Sequence, residues 1–403
     1  MKSPIDSKFA GRRNERMILS MLRQHQRLSQ SQLCRLAGIG SSTASTIVAR
    51  LREKQLVLET PGTSTDRGPK PTLIELNPDC RYLFAVEINP SYVFVGLFDF
   101  VGQMQDNVQV SLGADHSVEC VLELLQRQIQ GLAQKHRIAG QKMLGVGVTL
   151  SGSVSSKGLV SLSSPLGWHN IPLRNALESR LEMPAFVYSN RVRLLTEFDL
   201  NPDLKHKHVL YLNVADGVGS TVSMNGTMMY GAGGRYGEIG HIVVDPNGPT
   251  CGCGNRGCVE ALISGQALVR KIQHDQLAGI AVGFDAAVHE GAARSAEQIL
   301  SVWTQLVESG HAYALALRDF VADHLGRIAA AAINCYDPDV IILAGYVLRH
   351  FPAYYAAAIQ APMATQVYDS TLRSIGILPA AAGANALILG VSIAAFQDAA
   401  EHL

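Results

Sequence analysis

Three cysteines within eight residues, Cys251-Gly-Cys253-Gly-Asn-Arg-Gly-Cys258, constrain this chain more than any other feature. The pattern aims three soft thiolates at one point, and Gly252, Gly254 and Gly257 let the backbone turn tightly between them. A fourth ligand closes a tetrahedron around zinc, and His241, ten residues upstream of Cys251, is within reach. Four protein ligands leave no position for an activated water, so the expected zinc is structural. Seven cysteines is an odd count, and the crowding of three argues for metal over disulfides and for a reducing cytoplasm. The loop sits in a chain of 403 residues, long enough for two or three domains. At 47% hydrophobic and 17% charged residues the chain can build packed cores, which excludes a mostly disordered protein.

A formal charge of zero conceals a division. Residues 1–80 hold 13 Lys+Arg against 7 Asp+Glu, net +6, which leaves 21 against 27, net −6, for the remainder. A basic head on an acidic body points to a head that meets a polyanion. From Arg12 to Gln24, Met17, Ile18, Met21 and Leu22 fall on one helical face. Ser29 is placed to cap a second helix, Gln30 to Ala37, which Gly38-Ile39-Gly40 breaks. A third helix runs from Ser41 or Ser42 to about Leu51, with Ile47, Val48 and Leu51 inward. Two short helices joined by a Gly-containing turn make a helix-turn-helix. The small outward residues Ser42, Thr43, Ser45 and Thr46, with Arg50, are the candidates for contact with double-stranded DNA in the major groove. Strands at Leu56–Glu59 and Leu73–Leu76 then predict a two-stranded wing. Its tip, Arg67-Gly68-Pro69-Lys70-Pro71, supplies Arg67, Gly68 and Lys70 as further DNA candidates. The alternative is a protein-docking module whose basic residues only solvate its surface.

Met1–Gln30 has arginines throughout and no long apolar run, which argues against a secretory leader. The most apolar stretch, Ala380 to Phe396, is interrupted by Asn385 and Ser392, and reads as a buried helix after a tight turn rather than a membrane span. Past residue 80 the pattern becomes strand-rich. Strands are expected at Leu83–Ile88, Tyr92–Asp99, Val108–Leu112 and Met143–Leu150, with a long amphipathic helix at Val118–His136. A second round begins at Val209–Val214, followed by a Gly-rich turn at Asp216–Gly219, a strand to Met224 and a hairpin turn at Asn225-Gly226. Two such rounds predict a duplicated α/β body, residues 81–205 and 206–403, with a ligand cleft between its halves.

Gly237-Glu238-Ile239-Gly240-His241, followed by Cys251 through Glu260, resembles the signature of the ROK family (repressors, open reading frames and sugar kinases). The winged head makes the chain similar to the repressor branch, the type of the glucose, N-acetylglucosamine and xylose regulators. This resemblance spans essentially the whole chain. It implies a winged helix-turn-helix followed by a two-lobed actin-like ATPase/hexokinase fold with a structural zinc loop, assembled as a homodimer or homotetramer. It also implies that His241, Cys251, Cys253 and Cys258 hold zinc and shape a sugar pocket, and that Glu238, His241 and Glu260 contact sugar hydroxyls. Asn190 matches the family's hydroxyl-binding Asn, and Gly152 a glycine that lets backbone approach the ring. Ser164 to Leu173 resembles another family segment, in which Trp168 either stacks on a sugar or packs in the core.

The kinase pattern fails at named positions. Phosphoryl transfer to a hydroxyl needs a carboxylate base, which the resemblance locates directly after the Asn. Here that residue is Arg191, which cannot accept a proton at neutral pH. Arg191 then either holds a phosphate already on the sugar or serves as a surface or pairing residue. The first phosphate hairpin, Asp then Gly-Gly-Thr in the kinases, is replaced by Glu87-Ile-Asn89-Pro90-Ser91, where proline removes a donor. The second loop, Asp216-Gly-Val-Gly-Ser-Thr221, is intact, and Ile341–Gly345 has lost one glycine of an adenosine-side pair. The expected protein is therefore no enzyme but a cytoplasmic regulator, most simply a repressor, that binds a DNA operator and answers to a sugar or sugar phosphate. A regulatory protein partner remains an alternative signal, and a sugar kinase with a DNA-binding head an alternative activity.

Overall fold

The computed structural model describes residues 7–62, 72–281, 295–369, 371 and 373–400. Its first elements are α1 (Ser7–His25), β1 (Arg27–Ser29), α2 (Gln30–Ala37), α3 (Ser41–Glu53), β2 (Val57–Pro61) and β3 (Thr72–Leu76). A capping box starts α2: the Ser29 hydroxyl accepts the Gln32 N–H at 3.3 Å, and the Gln32 side chain accepts the Ser29 N–H at 2.8 Å. Gly38 ends the helix at φ +62°, which glycine adopts without strain. The strands pair in the order β1-β3-β2, so the wing carries a third strand, β1. Three residues are too few to show an alternating pattern, which is why β1 was not foreseen. Helix α1 also begins earlier than the apolar periodicity at Arg12 suggests.

Ile18, Leu19 and Leu22 of α1, Leu33 of α2 and Ile47, Val48 and Leu51 of α3 are buried together with Ile74 and Leu76 of the wing. This cluster continues through Phe100, Phe186, Ala395 and Phe396 of the body, so the head and the first sheet share one core. The chain divides into two compact units, one formed by residues up to Asp199 with those from Ala384 onward, the other by Leu200–Gly383.

In the first unit β4 (Tyr82–Ile88), β5 (Tyr92–Asp99) and β6 (Met104–Ser111) form an antiparallel meander. Strands β7 (Met143–Leu150) and β11 (Ala185–Ser189) add in parallel beyond β4, giving the order β11-β7-β4-β5-β6. The near-continuous apolar runs of β4 and β7 fit strands covered on both faces, whereas the edge strand β6 alternates exposed and half-buried residues. Helix α4 (Val118–Lys135) buries Val121, Leu122, Leu125, Ile129 and Leu132 on one face of this sheet. A small sheet of β8 (Ser153–Val154), β9 (Val160–Ser163) and β10 (Trp168–Ile171) and the helix α5 (Leu173–Leu181) precede β11.

The second unit repeats the plan. Strands β12 (Val209–Val214), β13 (Val218–Met224) and β14 (Thr227–Met228) run antiparallel, and β15 (Val340–Ala344) and β16 (Gly376–Pro379) extend the sheet in parallel, order β14-β13-β12-β15-β16. Helices Ala296–Glu308 and Ala312–Tyr336 cover it around Trp303, Leu317 and Ile333.

The apolar stretch expected from Ala380 becomes a buried helix at Ala386–Ala399, entered through a turn at Ala384-Asn385. It belongs to the first unit rather than to residues 206–383, because its small residues fit the first sheet. A Cβ on Gly147 of β7 would sit 2.6 Å from the Ala395 side chain. Among the described residues no helix is long and apolar enough to cross a membrane. Leu387, 3% exposed in this packing, gives a stability test. Leu387→Ala should cost about 2–5 kcal/mol, seen in urea unfolding as a lower midpoint at unchanged slope.

Candidate functional site

In the head, α3 turns Ala44, Ile47, Val48 and Leu51 inward and leaves Ser42, Thr43, Ser45, Thr46 and Arg50 exposed. The Arg50 guanidinium donates to Glu15 of α1 at 2.7 Å, and the Thr46 hydroxyl donates to the Ser42 carbonyl at 2.9 Å. Arg50 therefore also braces α3 against α1, and the remaining four small side chains present an unobstructed helix face. Arg67, Gly68 and Lys70 lie outside the described residues.

The metal loop is set by backbone hydrogen bonds. A short turn, Ile239–His241, follows Glu238, and the chain then doubles back so that Val243 bridges Cys258 and Thr250 bridges Arg256. The Cys251 N–H donates to the Asn255 carbonyl at 2.7 Å and the Gly257 N–H to the Pro249 carbonyl at 2.8 Å. Gly257, at φ +65°, is a position only glycine can hold, because a Cβ would run into the Asp245 carbonyl oxygen. This folding brings His241 and the three cysteines together, with one donor atom from each within 4.8 Å of all the others.

Cys253 Sγ and Cys258 Sγ are 3.7 Å apart, and Cys251 Sγ lies 3.6 Å from His241 Nδ1. Zinc–sulfur bonds of about 2.3 Å and zinc–nitrogen bonds of about 2.0–2.1 Å give a tetrahedron with edges of about 3.8 Å between sulfurs and about 3.6 Å from sulfur to nitrogen. Donor set and spacing thus fit a four-coordinate divalent ion. Burial pushes the Cys258 thiol up to about 12 and raises Cys251, while the Asn255 N–H lowers Cys253. A cation held by these four residues would supply the charge that lets all three cysteines exist as thiolates.

Glu238 is exposed and Glu260 partly buried at the start of the helix Val259–Ile263, which follows Cys258. The Glu260 carboxylate accepts the Val218 N–H at 3.0 Å and so ties the metal loop to the Gly-rich turn between β12 and β13. In the same turn the exposed Asp216 accepts the Tyr346 hydroxyl at 2.7 Å and the Gln266 amide at 3.3 Å. Burial, reinforced by Asp216, pushes the Tyr346 hydroxyl well above the usual phenol range. These ties were invisible in the sequence, since Tyr346 is 130 residues from Asp216.

In the first unit Asn190 opens a short turn after β11, and its side-chain oxygen accepts the Thr149 hydroxyl at 3.0 Å. Arg191 beside it is buried, 8% exposed, which removes the surface alternative for this residue. Gly152 approaches β9 so closely that a Cβ would run into the Leu162 carbonyl oxygen, and that contact alone accounts for the glycine. Trp168 is a core residue, 4% exposed, with its indole N–H donated to the His116 carbonyl at 2.6 Å. The hairpin between β4 and β5 uses its own donors. The Asn89 N–H goes to the Tyr92 carbonyl, the Ser91 N–H to the Asn89 side chain, and the Tyr92 N–H to the Asn89 carbonyl, at 2.9, 3.0 and 3.2 Å. Pro90 has no N–H, so the turn retains none for a phosphate.

A winged helix-turn-helix sharing a core with the first of two like-built α/β units defines a DNA-binding head on an actin-like, hexokinase-type body. Residues 83–398 match the ROK family and residues 12–57 the winged helix-turn-helix DNA-binding family, and the chain belongs to the ROK family. It is similar to the xylose repressor of Bacillus spizizenii, 24% identical over 392 residues and 96% of each chain. It is also similar to the glucokinase of Thermotoga maritima, 28% identical over 66% of this chain and 82% of that one. The crystal structure of a ROK family transcriptional regulator, a homolog of the Escherichia coli MLC protein, shares the fold at a TM-score of 0.79 and 20% identity, over 97% of each chain.

Chelation or the Cys253→Ser substitution tests the metal centre. Cys253 is exposed, so the change disturbs little packing. The wild-type protein should hold one divalent ion per chain by elemental analysis and show thiolate–cobalt absorption when loaded with Co2+. Cys253→Ser should lose the ion at concentrations where the wild type keeps it, and equal metal content in the two would refute the site.

Proposed function

We propose that this protein is a sugar-responsive transcriptional regulator, a repressor in its simplest form, and that it performs no phosphoryl transfer. The observation that carries this reading is the joining in one chain of a winged helix-turn-helix and a ROK body, the organisation aligned with the xylose repressor over 96% of each chain. Ser42, Thr43, Ser45, Thr46 and Arg50 are the proposed readers of base edges and phosphates, with Arg67, Gly68 and Lys70 as further proposed DNA contacts. Two-fold protein symmetry favours a homodimer, or a homotetramer built from such dimers, on a roughly palindromic operator.

The metal in the loop is proposed to be structural zinc: His241, Cys251, Cys253 and Cys258 fill a tetrahedron, and no position is left for a reacting water. The zinc supplies no chemistry beyond holding the loop that carries Glu238 and Glu260. Glu238, His241 and Glu260 are proposed to meet the hydroxyls of the effector, a sugar or sugar phosphate, and Asn190 is proposed as a further hydroxyl contact. Two features support a sensor over a kinase. The residue after Asn190 is a buried arginine, and the Asn89–Tyr92 turn spends its own N–H groups. Without base or cradle, bound sugar changes only the conformational equilibrium, which biases how the head meets its operator.

A thermal-shift panel of xylose, glucose and N-acetylglucosamine, their phosphates, and ATP tests this reading. An effector at 100 times its Kd adds about 2.7 kcal/mol to stability. One sugar should shift the wild-type protein and fail to shift Glu238→Ala, and ATP should shift neither. Linkage requires operator to weaken sugar binding by the factor that sugar weakens operator binding. Equal sugar affinity with and without operator would sink the allosteric account, and sugar-dependent ADP release would establish the kinase instead. A flat panel would direct attention to a regulatory protein partner.

A further inference from the structure

Arg23 is a charged residue on the inward side of α1, next to Leu22 of the head core. Its Nη1 is sealed from solvent and has no hydrogen-bond partner among the described residues. Its Nη2 donates to the Ser392 hydroxyl at 3.4 Å, and the guanidinium carbon lies 4.4 Å above the centre of the Phe396 ring. Gly102, at φ +92°, makes room on the other side, since a Cβ there would run into the guanidinium. No carboxylate among the described residues pairs with Arg23. Asp99 is buried nearby, but its oxygens already accept the Gly102 and Gln103 N–H groups and the Gln105 amide. Burial lowers the guanidinium to about 10, opposed by the longer-range pull of Asp199 and Asp99, so it stays charged at neutral pH.

Arg23 is half-buried as a residue, and the desolvation of its sealed guanidinium end is offset by one long hydrogen bond and a ring face, so the seat of the guanidinium, and with it α1, depends on where Ser392 and Phe396 stand. Ser392 and Phe396 both lie on the helix Ala386–Ala399, and that helix is gripped along its length by residues 188–196. The Tyr188 hydroxyl donates to Asp398 at 2.6 Å, and the Thr196 hydroxyl donates to the Ala386 carbonyl at 2.7 Å. Between them Gly390 lies against the Val192-Arg193 backbone, where a Cβ would run into the Val192 carbonyl oxygen. Val192 shares a buried cluster with Leu387, Ile388 and Val391. The Asn190-Arg191 turn is therefore bracketed by residues that hold one helix, and the far part of that helix holds Arg23.

We propose that the helix Ala386–Ala399 is a lever joining the Asn190-Arg191 turn to the DNA-binding head, with Arg23 as the positioning residue through which the head follows it. The proposal deepens the regulator reading and rests on it for the role of the Asn190 turn, but the mechanical link can be tested separately.

Hydrogen exchange on the full chain needs neither operator nor inducer. In Arg23→Gln, amides of residues 18–25 should exchange at least tenfold faster, while β12 and β13 of the second unit keep wild-type rates. Thr196→Val and Gly390→Ala load the lever from its other end, and each should raise exchange in residues 18–25 without altering the head itself. Should Gly390→Ala fail to fold, Thr196→Val, which exchanges only the hydroxyl for a methyl, decides the matter. Wild-type exchange in residues 18–25 of Arg23→Gln, or changes confined to residues 386–391 in the lever variants, overturns the proposal.

A readout that a purely stabilising role would not move is the spacing of DNA half-sites. From a random-sequence duplex pool the wild type should enrich half-sites at one spacing. Arg23→Gln should enrich the same half-site with at least tenfold poorer discrimination among spacings, and unchanged discrimination overturns the positioning role. A pool from which the wild type enriches nothing refutes the regulator reading, while the coupling seen by exchange stands.

Discussion

The packing of the helix Ala386–Ala399 on β4 and β7 is the contact on which most of the first unit depends. It is a close contact because small residues meet: Gly147 has no side chain, and Ala395 and Val391 fill the space above it. The helix buries nearly all of its circumference, so amphipathicity does not orient it. Complementary shape does. Once seated, it offers Phe396 to Phe100, with ring centres 5.0 Å apart, and this aromatic pair joins the sheet's core to that of the head. A head that shares its core in this way moves with the body or breaks a hydrophobic contact to move independently.

In the second unit a polar network orders the loop that carries the three cysteines. Cys251, Cys258 and Ala261 form a small buried cluster within it, and Ile239 and Val259 anchor its two ends in the main core of the unit. Its shape comes from backbone hydrogen bonds and from Gly257, and it gathers the four candidate ligands at one point. Glu260 carries that order to the β12–β13 turn, and Asp216 and Tyr346 carry it on to the end of β15. The two units thus keep the same strand order while being used differently: the β4–β5 turn is closed on itself and the β12–β13 turn is bound to its surroundings.

Much of this was legible in the sequence, for physical reasons that differ by site. The helix-turn-helix could be read because Ser29, Gly38 and the spacing of Ile47, Val48 and Leu51 are local signals, and each sits where expected. The ligand group could be read because soft donors crowded at short spacing have few other uses. Long-range partners could not be read. Nothing adjacent to Arg23 reveals that its guanidinium lies over Phe396, and nothing near Asn385 reveals that the following helix returns to the first sheet. Gly152 shows the opposite difficulty, because a glycine suited to admitting a ligand is equally suited to admitting the Leu162 carbonyl.

The pairing of Arg23 with Ser392 also sets an order of events during synthesis. The two residues are 369 positions apart. At about 5–20 residues per second on the ribosome, α1 emerges roughly 20 to 70 s before the helix that receives it. Through that interval the head's helices can form, but the surface that will meet Phe396 stays uncovered and Arg23 stays in water. The head therefore acquires its final position only once that helix, the late part of the first unit, has been made. A nascent chain can present a folded recognition helix long before it can aim it.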